Sequence, residues 1–227
     1  MVTNEILRKN AREQLGNHIF KEKWLTMLVV CVLSSMIVNA ATTLFGEMSV
    51  FAMLPALLRG DSLQTIKVGS GISLFSTVVT LVLTGPFTYG LAKIMLANVE
   101  GDKWGIANLF DGFRECFVKS MLLGFLQSLF IALWSLLFFI PGLVKSYSYA
   151  LAFYVQRNDK ELEAIDCINE SKRLMQGHKW QLFCLDLSFI GWYLLGALCF
   201  GVGVYFVLPY HEMARANFYE ALIAENE

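Results

Sequence analysis

Four stretches of this 227-residue chain run for about the thickness of a bilayer without one ionisable side chain: Trp24 to Gly46, Val68 to Ala92, Ser120 to Val144 and Leu187 to Tyr210. The charged residues gather in the connections between them. This pattern predicts an all-α fold, a polytopic transmembrane helical bundle of about six spans, with residues 1–227 forming one membrane domain. The spans are expected near 24–46, 68–92, 120–140, 141–157, 180–200 and 202–213. Two punctuation marks raise the count from four to six. Pro141-Gly142 follows the apolar run ending at Ile140, and Gly201-Val202-Gly203 sits in a stretch too long for one helix. In the second span Gly85-Pro86 should bend the helix, because proline lacks a donor and clashes with the preceding turn. Gly85, Pro86, Pro141 and Gly142 are therefore the candidate helix breaks. A signal-peptide reading of the first span, with Val38-Asn39-Ala40 as a cleavage-like site, is disfavoured by its length and by the long charged segment before it.

The connections have a pattern of their own. Asp159 to Gln176 places Leu162, Ile165, Ile168 and Met175 near helical spacing, with Asn158 and Glu161 as a capping pair and Gly177 as a stop. An amphipathic helix over about 159–176 on the cytoplasmic surface is expected. The N-terminal segment, 1–23, repeats the design with Leu7, Ala11 and Leu15 on one face, Gly16 closing it and Trp24 opening the first span. A looser third version runs from Asn108 to Phe117. The chain thus reads as three units, each a surface helix followed by a two-span hairpin; the alternative is that Trp and Lys simply collect at every membrane boundary.

Composition supports the class: 56% hydrophobic and 16% charged residues, with a mean hydropathy of +0.53, against roughly 25% charged in a soluble domain. The net charge of −1 conceals an uneven distribution. Lys and Arg concentrate in the N-terminal segment, the second-to-third connection and the fourth-to-fifth connection, while the alternate loops hold only Arg59 and Lys67, then Lys145. The positive-inside rule places both termini, including the tail 214–227, in the cytoplasm. Basic connections also predict attraction to anionic lipid that weakens with salt. Nothing points to nucleic acid.

Few groups are available for chemistry. Asp186 lies within LFCLDLSFIGW, where an acid is costly enough to need a reason: a structural hydrogen bond, a proton- or substrate-coupling role, or simple exposure at the interface. With His178, Lys179 and Trp180 just before it, it forms the candidate polar site. His18, His178 and His211 all fall near predicted boundaries, and His211-Glu212 lacks the second His of a helical zinc motif. Cys31, Cys116, Cys167, Cys184 and Cys199 have no paired spacing. No nucleotide-binding, nucleophile-elbow or metalloprotease motif occurs, so no cofactor, metal or catalytic residue is implied.

The passage Ile140 to Tyr149 (IPGLVKSYSY), Ala164-Ile165, Ser171 to Trp180 and Phe183 to Trp192 (FCLDLSFIGW) resembles the domain-of-unknown-function 975 family. The likeness extends to Arg8–Leu15 and to Pro209-Tyr210 with Ala216, Phe218 and Tyr219; the loop Glu47 to Lys67 matches nothing. The resemblance implies an uncharacterised bacterial integral membrane protein, mainly of Gram-positive organisms, with six helices and no assigned activity. Three functions are compatible. The first is a non-enzymatic component binding partner proteins, lipids or a second copy of itself at the cytoplasmic leaflet. The second is a small carrier using the kinked helices and Asp186. The third is a lipid-modifying enzyme, for which His178, Asp186 and His211 are the available set.

Overall fold

The computed structural model describes residues 2–16, 23–37, 65–137, 139–198 and 202–226. The helices are α1 (Asn4–Leu15), α2 (Lys23–Ile37), α3 (Thr65–Glu100), α4 (Asp111–Arg114, entered through a 3-10 turn over Ile106–Phe110), α5 (Phe117–Leu137), α6 (Phe139–Tyr149), α7 (Ala152–Asn158), α8 (Ala164–Leu174), α9 (Lys179–Leu198) and α10 (Val202–Asn226). The described residues contain no strand. The loop Glu47–Gln64, the Val38-Asn39-Ala40 site, His18 and Gly201 lie outside the described residues.

Two helices, Phe117–Leu136 and Lys179–Leu198, are long and apolar enough to cross a membrane, with mean hydropathies of 1.6 and 1.5. Only 17% and 22% of these stretches are buried. The core helix of a soluble protein would hide most of such a surface, whereas here Phe125, Leu129 and Leu133 on α5 and Leu187, Ile190 and Leu194 on α9 all face outward.

The same order recurs three times: a short helix or turn, a long helix, then a second long helix or broken pair. Each short element packs on the preceding hairpin. The 3-10 turn and α4 lie against α3, α8 lies against α5 and α7, and α1 lies against α9 and α10, so the arrangement closes into a ring. Trp24 of α2 stacks on Phe206 of α10 at 5.8 Å across the same closure. The second helices converge in the middle, where α3 packs on both α7 and α10 and Tyr154 stacks on Tyr219.

Close approach between helices is set by small residues. A Cβ on Gly85 of α3 would lie 2.2 Å from the Ser120 carbonyl oxygen, and Gly124 of α5 sits against Gly85 itself. Pro86 is accommodated inside a helix assigned without interruption from 65 to 100. The hydroxyls of Thr84 and Thr88 donate to Thr80 O and Thr84 O at 2.7 Å.

Four expectations need correction. The fourth span, 141–157, is not one helix: α6 stops at Tyr149 and α7 begins at Ala152. The reason is Ser171 of α8, whose hydroxyl donates to Ser148 O at 2.9 Å and accepts from Leu151 N at 3.2 Å. It supplies both halves of what the break removes. Ser171→Ala strands a buried N–H and a buried carbonyl, an expected loss of about 1–3 kcal/mol, read as a lower melting temperature in detergent; Ser171→Thr should restore part of it.

The surface helix expected over 159–176 is shorter, Ala164–Leu174, capped by Glu163. The Asn158/Glu161 capping pair is not used, because Asp159 is extended and its Oδ1 accepts from Glu161 N at 3.0 Å, which holds the approach as a turn. Residues 214–227 are not a tail. α10 runs from Val202 through Pro209 to Asn226, and Met213, Ala214, Ala216, Phe218, Tyr219 and Leu222 are buried. Finally, the amphipathic helices do not keep their apolar faces for lipid. Leu7, Ala11 and Leu15 form the predicted face of α1, closed by Gly16 at φ 101°, but that face is buried on α9 and α10. α8 turns Cys167, Ile168 and Leu174 inward and leaves Ile165 outside.

Candidate functional site

The α9–α10 hairpin places Asp186 opposite two residues of α10 that are one helical turn apart. Arg215 donates through Nε to Oδ1 at 3.2 Å and through Nη2 to Oδ2 at 2.7 Å. His211 Nε2 lies 2.8 Å from Oδ1, and Tyr193 Oη lies 3.0 Å from His211 Nδ1. An ionised carboxylate only accepts, so Nε2 carries the proton and, in the neutral ring, Nδ1 accepts from the tyrosine. Tyr147 of α6 faces the same carboxylate. The Asp186 and His211 side chains are only 15% and 13% exposed, which makes this a covered cluster rather than an interfacial one.

Phe189 packs on the His211 ring with centroids 4.7 Å apart. Two turns of α9 and one of α10 are thus devoted to a Tyr–His–Asp–Arg chain in which every link is made. Chemically, such a chain fixes charges in place: Asp186 accepts from Arg215 and His211, and His211 in turn meets Tyr193.

The other members of the sequence-predicted site are elsewhere. His178 has a buried Nδ1 without a hydrogen-bond partner. Trp180 is largely exposed and leans on Phe183, and with Lys179, Leu143, Val144 and Tyr147 it borders a small apolar hollow. The structure brings Asp186 together with His211 and Arg215, and does not bring it together with His178, Lys179 or Trp180. Of the candidate breaks, Gly85 and Pro86 lie inside α3 at its contact with α5 and α4, while Gly142 packs on Ser135 where α5 turns back into α6. Lys145 sits over the Trp134 ring at 4.7 Å, tying that turn together.

A second charged cluster lies at the end of the bundle where α3, α4 and the α7–α8 connection meet. Lys93 Nζ donates to Asp111 at 2.6 Å and to Glu115 at 2.7 Å, and Lys160 reaches Glu115 at 2.8 Å. Partial burial would raise the Glu115 carboxyl, but the two ammonium groups outweigh it and hold it below its usual range. Lys119 donates to the carbonyls of Lys160 and Glu161, and Arg157 forks onto Glu100. These contacts staple the connections to the helix ends.

Sequence reasoning missed a cavity of about 400 Å³ beside Arg215, walled by Thr84, Thr88, Gln127, Ser128 and Tyr147 among others. Its signal was present in α5, where Gln127-Ser128 interrupts an otherwise apolar helix.

The fold and the cluster together define a helical protein with two membrane-length apolar helices and a covered Tyr–His–Asp–Arg cluster. Residues 136–226 match the family described as protein of unknown function, DUF975, so the resemblance read in the sequence holds over those residues. No curated protein matches the chain, and no solved structure does.

Proposed function

We propose that this chain is a six-span protein of a bacterial cytoplasmic membrane, with both termini on the cytoplasmic side, that acts by binding rather than by catalysis. The outward apolar faces of α5 and α9 support insertion, and the Lys/Arg distribution supports the orientation. The observation that carries the non-enzymatic reading is the engagement of Asp186: the acid embedded in the apolar sequence has both oxygens taken by Arg215 and His211. Because α1 and α8 spend their apolar faces internally, what the cytoplasmic end offers a partner is polar. Its main concavity is a groove of about 640 Å³ between α7, α8 and α10, with Tyr219 and Ile223 on its floor and Asp159, Asp166 and Asn169 at its rim.

The test is to carry a photo-crosslinking residue at position 169 in cells and purify the full chain in mild detergent. A stoichiometric protein or lipid adduct at that position supports the binding reading. Recovery of the chain with no adduct at 169 and nothing co-purifying would overturn it.

A carrier is the second reading, favoured by the polar cavity beside Arg215.

A further inference from the structure

The cavity beside Arg215 stands halfway along the apolar length of α5: Gln127 is about 15 Å of helix rise from Phe117 and nearly as far from Leu136. Polar walls at that depth cost free energy in lipid and call for an occupant. The walls have a definite polarity. Among the described residues that line it, Arg215 is the one cation and none is a carboxylate. Asp186 takes Nε and Nη2 of the guanidinium, so the remaining amino group is not spent on it.

The rest of the lining mixes apolar Ile131, Leu143, Ala150 and Phe153 with polar groups, several of which offer acceptor oxygens. Thr84 and Thr88 already donate their hydroxyl protons to their own helix, and Ser146 donates to Leu143 O at 2.8 Å, which leaves oxygen lone pairs facing any ligand. Gln127 Oε1 is buried without a hydrogen-bond partner, in a helix that otherwise satisfies itself. A cationic donor and several acceptor oxygens in one cavity fit a ligand that is anionic at one end and donor-bearing at the other.

We propose that this cavity binds a phosphate ester carrying hydroxyl or ammonium donors, with the phosphate against Arg215 and the donors on Gln127, Thr84 and Thr88. Two sources share this chemistry: a water-soluble polyol phosphate and a phospholipid head group. The proposal stands on the cavity and goes beyond partner binding at the cytoplasmic groove; either can fail without the other.

The full chain, in dodecyl maltoside and in nanodiscs of phosphatidylcholine, is titrated calorimetrically with glycerol 3-phosphate, and in detergent with short-chain phosphatidylglycerol. Saturable one-to-one binding of either ligand is expected, with glycerol 3-phosphate identifying a soluble solute and phosphatidylglycerol alone identifying a head group. Gln127→Leu should weaken it at least about tenfold, the equivalent of one hydrogen bond to a polar ligand. Because Gln127 Oε1 has no partner to lose, this variant should keep the wild-type melting temperature; Thr84→Val is the second variant, expected to weaken binding in the same direction. Absence of saturable binding for both ligands overturns the proposal, as does affinity unchanged in both variants while the protein remains folded.

Discussion

Asp186→Ala will lower the melting temperature of the detergent-solubilised protein by roughly 10 °C or more, corresponding to about 3–5 kcal/mol. The loss comes less from the bond removed than from what is left behind: a guanidinium without its paired carboxylate and an imidazole N–H without its acceptor, inside the α9–α10 hairpin. The double variant Asp186→Leu, Arg215→Leu should therefore recover most of the loss, since it removes both members of the covered pair. Asp186→Asn should fall between, keeping an acceptor but no charge. If the alanine variant melts like the wild type, the carboxylate is not paired as described, and its role as a fixed structural charge goes with it.

Gly85→Val is the second large effect. Its Cβ would stand 2.2 Å from Ser120 O and 2.8 Å from the carbonyl carbon, atoms of the α5 backbone that cannot rotate aside, so the helices must separate. Overpacking of this kind costs about 1–3 kcal/mol even where the surroundings adjust, and here the whole α3–α5 contact shifts. The expected result is loss of the monodisperse peak in size-exclusion chromatography. Gly124→Ala, whose Cβ would stand 3.0 Å from Gly85 Cα, should be intermediate, and Gly191→Ala, which meets open space, should behave as wild type. A Gly85→Val protein recovered in normal yield and with an unchanged melting point would show that the two helices do not touch there.

What was legible in the sequence followed from local pattern. The face of α1 was readable because Leu7, Ala11 and Leu15 repeat at four-residue steps before a glycine. The start of α9 was readable from Lys179-Trp180 after Gly177. What periodicity could not give was the partner of each face: the same amphipathic stripe suits a bilayer surface or a neighbouring helix, and only the ring arrangement decides for the neighbour. The break between α6 and α7 was hidden for a similar reason, since its cause, Ser171, lies in another helix.

The Asp186 cluster was nearer to hand. Folding α9 onto α10 about the Gly196–Gly203 contact sets residue 186 opposite 213, between His211 and Arg215. The register was in the glycines; the sequence reading grouped His211 with Asp186 and His178 only as a candidate enzymatic set, and did not pair Arg215 with the aspartate. Gln127 was passed over because one amide barely lowers the hydropathy of α5, yet it is the residue there with an unanswered hydrogen-bonding atom.

The ring sets an order of events during synthesis. α1 is tied to the far end of the chain by Gln14 and Asn217, whose amides bond reciprocally at 3.1 and 2.6 Å across 203 positions, and by Gln181 donating to Val2 O at 2.7 Å. At ordinary translation speeds that gap lasts about 10–40 s. Throughout it, Leu7, Ala11 and Leu15 have no protein to cover them, and the nearest apolar phase is the membrane surface. In the membrane setting we propose, the nascent α1 rests on the bilayer as a peripheral helix until α9 and α10 arrive, and that hairpin then lifts it off the lipid.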